Sequence, residues 1–381
     1  MTAADLGGGG GDGGSGHGRD GGDGGGPRRP AAGLRRRRER TRGKRPALRF
    51  AGTLVGEGET ADLKLKVAES YTAEPVSIPL TVVRGGAGPT VFITATVHGD
   101  ELIGVGILRW LLNECSFAEL AGTIVAVPVA NVPGFLVLDR RLPDRRDLNR
   151  SFPGRRGGSL ASRLAEVLFR EVVAKSDFGI DLHTAGAERT NYPQVRADLS
   201  QPHVASLAAA FGCPLIVDSP GPERSLRSTA VAAGVPTIVY EAGSPLRFER
   251  PFIEIGVAGI LNVLRSLGML PGAVRQPPVR LVLRKTRWVR AKVGGIVDLK
   301  VELGQPLRRG DPISVHTNPF SRGHSVLSSP HAGLVLGLTQ IPVVHPGDAV
   351  CHLAPLGARD LASWRRFYQA PLRVGLGSED V

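Results

Sequence analysis

The sequence predicts an α/β fold: a mainly parallel or mixed sheet flanked by helices, with a small all-β module at its C-terminal end. Three observations predict it. From about residue 48, apolar strand-like runs alternate with helical segments of ten or more residues, the pattern of a sheet whose crossovers are helices. A Pro-rich break, PGAVRQPPVR at residues 271–280, then interrupts the alternation. Beyond it the segments shorten to β-like pieces between Gly- and Pro-containing turns.

The N-terminal residues 1–46 stand apart. They carry GGGGGDGGSGHGRDGGDGGG at 7–26 and RRRRERTRGKR at 35–45, and hold eleven Arg or Lys against five Asp or Glu. Such a segment cannot bury enough apolar surface to offset its ordering entropy and is expected to be disordered. Much of the net charge of +13 therefore belongs to this tail. No apolar segment follows the basic run, so neither a secretory nor a twin-arginine export signal is expected, and the expected location is cytoplasmic. No apolar stretch reaches the length of a membrane span. Aromatic residues make up only 5% of the chain and do not interleave with basic ones, so nucleic-acid binding is not expected outside the tail. The three cysteines, Cys115, Cys213 and Cys351, are scattered without CxxC spacing and suggest neither disulfides nor a cysteine metal site.

The elements follow in order. TVFITATV, ending at Val97, reads as a buried strand, and ELIGVGILRWLLNE as a helix packed on one face. GTIVAVPVAN (strand), LASRLAEVLFREVVAK (helix), FGIDLHT (strand) and PHVASLAAAFG (helix) come next. PLIVDS (strand), SLRSTAVAAG (helix), PTIVYEAG (strand) and a long helix within FERPFIEIGVAGILNVLRSLGML complete the series. The expected divisions are a tail at 1–46, an α/β domain at 47–272, a β module at 273–362 and a C-terminal tail at 363–381.

Ligands in such folds collect at the carboxyl ends of strands, and His98, His183 and Glu241 all fall at such ends. At the first junction two readings compete. Asp100 in HGDE caps the following helix with Gly99 easing the turn, or His98 and Glu101 point together at a metal. Two imidazoles and one carboxylate, with a fourth position left to water, make a catalytic zinc arrangement. A further, unligated carboxylate is then needed to move protons, and Glu241 is available. Arg150 carries a guanidinium fork that matches a carboxylate bidentately.

HGDE (98–101), DLNRSFPG (147–154), DLHTA (181–185) and YEAG (240–243), in this order and spacing, resemble the succinylglutamate desuccinylase/aspartoacylase family, related to the zinc carboxypeptidases. The resemblance covers roughly residues 50 to 360. It implies that His98, Glu101 and His183 hold one Zn²⁺ per chain, that Asn149 and Arg150 bind the substrate carboxylate, and that Glu241 is the general base and acid. It also implies an arginine before DLNR that polarises the scissile carbonyl. Arg140 and Arg141 both qualify, with Arg140 preferred. Asp181 either orients His183 or satisfies backbone donors. Members of this family append a barrel-sandwich domain similar to lipoyl and biotinyl carriers, and GGIVDLKVELGQPLRRGDPISV and SSPHAGLVLGLTQIPVVHPGDAVCHLAP carry that rhythm. SSPHAGLV holds no Lys, so a structural or entrance-shaping role is expected rather than a swinging arm. His316, His324, His331, His345 and His352 are irregularly spaced and read as ordinary β-domain histidines.

The expected function is zinc-dependent hydrolysis of the amide in a small N-acyl amino acid or related carboxylate-bearing amide. The alternatives are a carboxypeptidase-like peptidase or esterase using the same site, and a non-catalytic protein associated with nucleic acid through its tail. The acyl group, the amino acid and the oligomeric state, including a homo-oligomer, stay open.

Overall fold

A computed structural model of the chain describes residues 48–186 and 188–368. The tail expected at 1–46 and the last residues, 369–381, lie outside the described residues.

Two short strands, β1 (Leu48–Phe50) and β2 (Thr53–Val55), pair antiparallel. The main sheet then takes β3 (Thr60–Glu69), β4 (Pro75–Arg84), β5 (Gly86–Ala95), β6 (Ala121–Val127), β7 (Phe178–His183), β8 (Arg189–Ala197), β9 (Leu215–Asp218) and β10 (Thr237–Gly243). Between them run α1 (Ile103–Glu114), α2 (Val132–Leu136), α3 (Leu160–Glu171), α4 (Pro202–Phe211) and α5 (Leu226–Ala232), with α6 (Arg250–Ser266) after β10. The parallel heart is β6-β5-β7-β10. Antiparallel β3 and β4 extend it on one side, and β8 lies antiparallel to β10 on the other.

The parallel heart of the sheet is buried on both faces, and the period-2 alternation of its strands assigns each residue to a side. Val91, Ile93 and Ala95 of β5 pack in one core with Ile107 of α1, Leu207 of α4 and Ile260 of α6. Phe92, between them, packs in the other with Leu164 and Leu168 of α3 and Leu226 of α5. Both cores leave the carboxyl ends of β5, β7 and β10 at one rim, where the motif residues emerge. The alternating strands and helices expected after β5 are all present. The strand β8 has no counterpart in the sequence reading, because Arg189, Asn191, Gln194 and Arg196 interrupt its apolar residues and Pro193 stands in its middle. Its polar residues serve the site described below.

The C-terminal part holds β11 (Leu281–Leu283), β12 (Arg287–Arg290), β13 (Gly295–Leu299), β14 (Pro306–Leu307), β15 (Pro312–Asn318), β16 (Ser321–Ser328), β17 (Gly333–Thr339), β18 (Val343–Val344) and β19 (Ala349–Pro355). β16-β15-β13-β18 form a separate four-stranded sheet. β17, β19 and β12 instead prolong the main sheet, with β17 bonded directly to β8. Val297 and Ile313 of the small sheet pack with Val335, Val350 and Leu353 of the other, so one apolar core fills the space between the two. The Gly310-Asp311 and Gly347-Asp348 turns are alike: each glycine has φ +92°, and each aspartate accepts a backbone N–H three residues back, from Arg308 and His345. A last helix, α7 (Ala358–Tyr368), crosses the boundary expected at 362/363. Trp364 ties it down, fully buried and donating from Nε1 to Gly304 O at 2.8 Å.

Candidate metal centre and active site

The HGDE turn does not cap α1. The helix starts at Ile103 after Leu102, with no side-chain cap, and Asp100 Oδ1 is buried without a partner. The turn continues two residues past Asp100, bonding Glu101 N to His98 O at 3.2 Å, and this folds the Glu101 side chain back onto His98. Two close approaches lock the turn from outside. A Cβ on Gly99 would stand 2.1 Å from the Gly134 carbonyl carbon, so glycine is required there. Leu246 N donates to Asp100 O at 2.8 Å.

His183, at the end of β7, closes the group. His98 Nδ1 lies 2.7 Å from Glu101 Oε1, and His183 Nδ1 lies 2.7 Å from Glu101 Oε2. One ligand atom from each of the three lies within 4.8 Å of the others, and all three residues are buried. Among the described residues no other such group is found. The remaining ring nitrogens face carboxylates: His98 Nε2 is 3.2 Å from Asp147 Oδ1, and His183 Nε2 is 2.8 Å from Asp181 Oδ2. Asp181 is held in turn by Thr94 Oγ1 at 2.7 Å. Imidazoles backed by carboxylates, with their other nitrogens converging on a third carboxylate, are the arrangement of a metal site with its supporting shell. The donor set therefore fits a divalent ion such as zinc.

The electrostatics agree. Burial pushes Glu101 up, but His98 and His183 outweigh it and hold the carboxyl well below its usual range. Burial opposes a charge on His183, while Asp181 and Glu101 raise it well above the ordinary imidazole value.

Arg140 turns to this group and Arg141 does not. Arg140 donates to Glu101 Oε1 at 3.0 Å and to Asp147 Oδ2 at 3.4 Å, whereas Arg141 is exposed. Asn149 and Arg150 sit in a short 3-10 turn, Leu148–Arg150, capped by Asp147. Asn149 Oδ1 accepts from Leu226 N at 2.8 Å. Arg150 is exposed and lines a cavity of about 850 Å³ with Asp147, Arg155 and Arg224. Glu241 pairs with His183 across the β10–β7 register. Its Oε1 accepts from Asn191 Nδ2 at 2.5 Å and from Arg196 at 3.0 Å, and Oε2 is 2.7 Å from Arg196 Nε.

Sequence reading missed four residues here. Asp147 lies inside the quoted DLNR motif and links His98, Arg140 and the Asn149 turn. Asn191 and Arg196 are on the unforeseen β8. Arg227 is 5% exposed with its NH1 unpartnered, and burial with Arg196 close by pushes it down to about 10. Only Asp147 had a local signal, its place in the motif. The others are brought in by strand pairing and helix packing.

No helix among the described residues is long and apolar enough to cross a membrane. Residues 87–267 match the family model of the succinylglutamate desuccinylase/aspartoacylase catalytic domain. The chain is 32% identical over 265 residues to the N-alpha-acetyl-L-2,4-diaminobutyric acid deacetylase of Halomonas elongata, covering 66% of this chain and 78% of that protein. Among solved structures it resembles the product-bound ectoine utilization protein EutE (DoeB) from Ruegeria pomeroyi, at a TM-score of 0.72 and 26% identity, covering 80% of this chain and 98% of that one. It also resembles a succinylglutamate desuccinylase/aspartoacylase from Rhodobacter sphaeroides, at a TM-score of 0.69 and 26% identity, covering 77% and 94% of the two chains. With its motifs gathered at one rim of the sheet and a relative of this identity and coverage, the chain belongs to the succinylglutamate desuccinylase/aspartoacylase family.

Proposed function

We propose that the protein is a metal-dependent deacylase that hydrolyses the amide of a small N-acyl amino acid. The observation that carries this reading is the buried His98–Glu101–His183 group with Arg140 and Glu241 beside it. Membership of a family whose relative is called an N-acetyl-diaminobutyrate deacetylase supports amide hydrolysis. His98, Glu101 and His183 would hold one Zn²⁺, which when bound supplies a Lewis acid and lowers the pKa of water.

The chain's own residues do the rest. Asn149 and Arg150 hold the free carboxylate of the substrate, fixing the amide over the metal group. Arg140 is aimed to donate to the carbonyl oxygen as negative charge builds there. Glu241 takes a proton from the attacking water and returns it to the leaving nitrogen. Arg196 and Asn191 fix the direction of that carboxylate. Asp181 and Asp147 keep the imidazoles oriented.

The finer architecture belongs to the same reading. Residues 47–272 act as the catalytic domain and 273–362 as a barrel-sandwich module, supported by its two sheets around one core and its paired Gly-Asp turns. The enzyme acts on a small molecule in the cytoplasm. A peptidase or esterase would use the same groups, but no observation favours either. Stripping the protein with a chelator should abolish amine release from N-acyl amino acids, and one equivalent of Zn²⁺ should restore it. Full activity in stripped protein would refute the metal-dependent reading.

A further inference from the structure

The cavity of about 850 Å³ beside the DLNR turn gathers more positive charge than one substrate carboxylate can use. Arg146, Arg150, Arg155 and Arg224 all line it, and Asp147 is the one carboxylate among its lining residues. Three separate segments bring the guanidinium groups together. Arg146 and Arg150 flank the turn itself. Arg155 lies in the loop before α3, where its backbone N–H is shared between Ser162 Oγ at 3.0 Å and Ser162 O at 3.1 Å. Gly154, just before it, has φ +80°, and a Cβ there would stand 2.2 Å from Ser162 O. Glycine therefore lets this loop lie against α3. Arg224 precedes α5 and is tied to the same loop, since Phe152 N donates to its carbonyl at 3.1 Å.

The pairing of these charges is uneven. Neighbouring arginines have acidic partners: Arg156 lies 3.6 Å from Glu166, Arg170 lies 2.8 Å from the same carboxylate, and Arg146 lies 3.7 Å from Asp144. Arg155 and Arg224 pair with no carboxylate among the described residues, and Arg150 Nη1 donates to the carbonyl of Asn149 beside it. Asp147 already faces His98 and Arg140, so its charge is shared with groups outside the cavity. Ser159 and Ser162 add the start of α3 to the lining, and the positive end of that helix dipole favours an anion further. Like charges held side by side raise each other's energy, and an anion that bridges them removes that cost. The one aromatic ring in the lining, Phe152, is fully buried, so the cavity offers no ring face for stacking.

We propose that this cavity binds a diphosphate group, bridged between Arg150, Arg155 and Arg224, and that the bound anion inhibits the enzyme. A carboxylate is saturated by a single guanidinium fork. A diphosphate instead spreads its terminal oxygens and its charge over two centres, which suits forks arriving from three segments. Free diphosphate and the diphosphate of a nucleotide share this chemistry, and the absence of a stacking surface for a base favours the free anion. Asp147 sets the cavity beside the metal group, because it lines the one and lies 3.2 Å from His98 Nε2 in the other. The inhibition rests on the deacylase reading, in which Arg150 holds the substrate carboxylate. The anion takes that arginine and excludes the substrate, so KM rises while kcat stays the same.

The test is calorimetric titration of inorganic diphosphate into zinc-loaded protein at about 0.15 M ionic strength, comparing the wild type with the double variant Arg155→Gln/Arg224→Gln. Both arginines are exposed, so the variant should fold and hydrolyse substrate as the wild type does. The wild type should bind diphosphate, and the variant should bind it about tenfold more weakly or worse. Zinc content measured before and after the titration separates binding in the cavity from removal of the metal. Sulfate, a single anionic centre, should bind the wild type at least about tenfold more weakly than diphosphate. Absent binding, equal binding of sulfate, or a diphosphate affinity unchanged in the double variant would overturn the proposal. ADP binding more tightly than diphosphate, and losing affinity in the variant, would uphold the site and assign its occupant to a nucleotide. With a hydrolysed N-acyl amino acid, diphosphate should raise KM in the wild type and much less in the variant. A fall in kcat at constant KM would overturn the sharing of Arg150. If no N-acyl amino acid is hydrolysed, the deacylase reading fails and the titration still decides the site.

Discussion

Asp181→Ala separates a supporting group from a bystander. Asp181 is fully buried, accepts from Thr94 Oγ1 at 2.7 Å, and lies 2.8 Å from His183 Nε2. Its carboxylate holds the His183 ring with Nδ1 facing Glu101 and makes the imidazole a better donor. Removing such a group costs about 10–100-fold in metal affinity, equivalent to about 1.4–2.7 kcal/mol. The alanine also strands the Thr94 hydroxyl in a buried site, which costs about 1–3 kcal/mol of folding stability. Asp181→Asn keeps an oxygen for the ring and an amide for Thr94, so its loss of affinity should be the smaller one. The assay is competition for Zn²⁺ against a chromophoric chelator, run on protein shown to be folded by circular dichroism. The wild type should bind tightest, Asp181→Asn next and Asp181→Ala weakest. If folded Asp181→Ala binds zinc within a factor of about two of the wild type, the supporting role assigned to Asp181 is wrong.

Three further outcomes are expected. His183→Ala, losing one of three ligands, should purify without stoichiometric zinc by elemental analysis, and a full equivalent retained would exclude it as a ligand. Arg150→Lys keeps the charge but loses the fork, so kcat/KM should fall about 10–100-fold, from a charged hydrogen bond of about 1.5–3 kcal/mol. An unchanged value would place the substrate carboxylate elsewhere. His352 titrates below its unfolded value of about 6.5, at about 4, through burial and then Arg196 and Arg189. A depressed imidazole binds fewer protons in the folded state, so the stability is complete above pH 6.5 and is lost as pH falls toward 4. The loss is at most about 3 kcal/mol. Melting curves over this window should therefore fall more steeply for the wild type than for His352→Asn, and parallel curves would contradict it.

The parts legible in sequence were those set by local pattern. The eight residues before His98, TVFITATV, and the facing stripe of α1 announce a strand–turn–helix, and His98 and Glu101 stand at its corner where one turn delivers both. His183 and Glu241 were legible for the same reason, each ending a buried strand. The cap that was one of two readings of Asp100 is absent, because the turn extends to Leu102 and bonds Glu101 N to His98 O. What stayed hidden is what pairing across the sheet creates. Asn191 and Arg196 sit on a strand whose polar residues erase the apolar signal, and they are polar because they face Glu241. His352 reads as one histidine among several in a β-rich segment. Only the register through Gly337, which pairs with both Asn191 and His352, carries it to the edge of the site, from a position more than a hundred residues along the chain. Arg140 could not be told from Arg141 in an arginine-rich stretch. Leu138 before them, at φ +53°, is a backbone turn that no residue preference announces.

The proposed deacylation centres on the His98–Glu101–His183 group and Glu241. The direct measurement is amine release from a panel of N-acyl amino acids by zinc-loaded protein, with Glu241→Gln as the blank. Turnover is expected in the wild type, with a loss of about 10²–10⁴-fold in the variant while one zinc is still bound. Silence across the panel from protein holding one zinc, or equal turnover by Glu241→Gln, would contradict it.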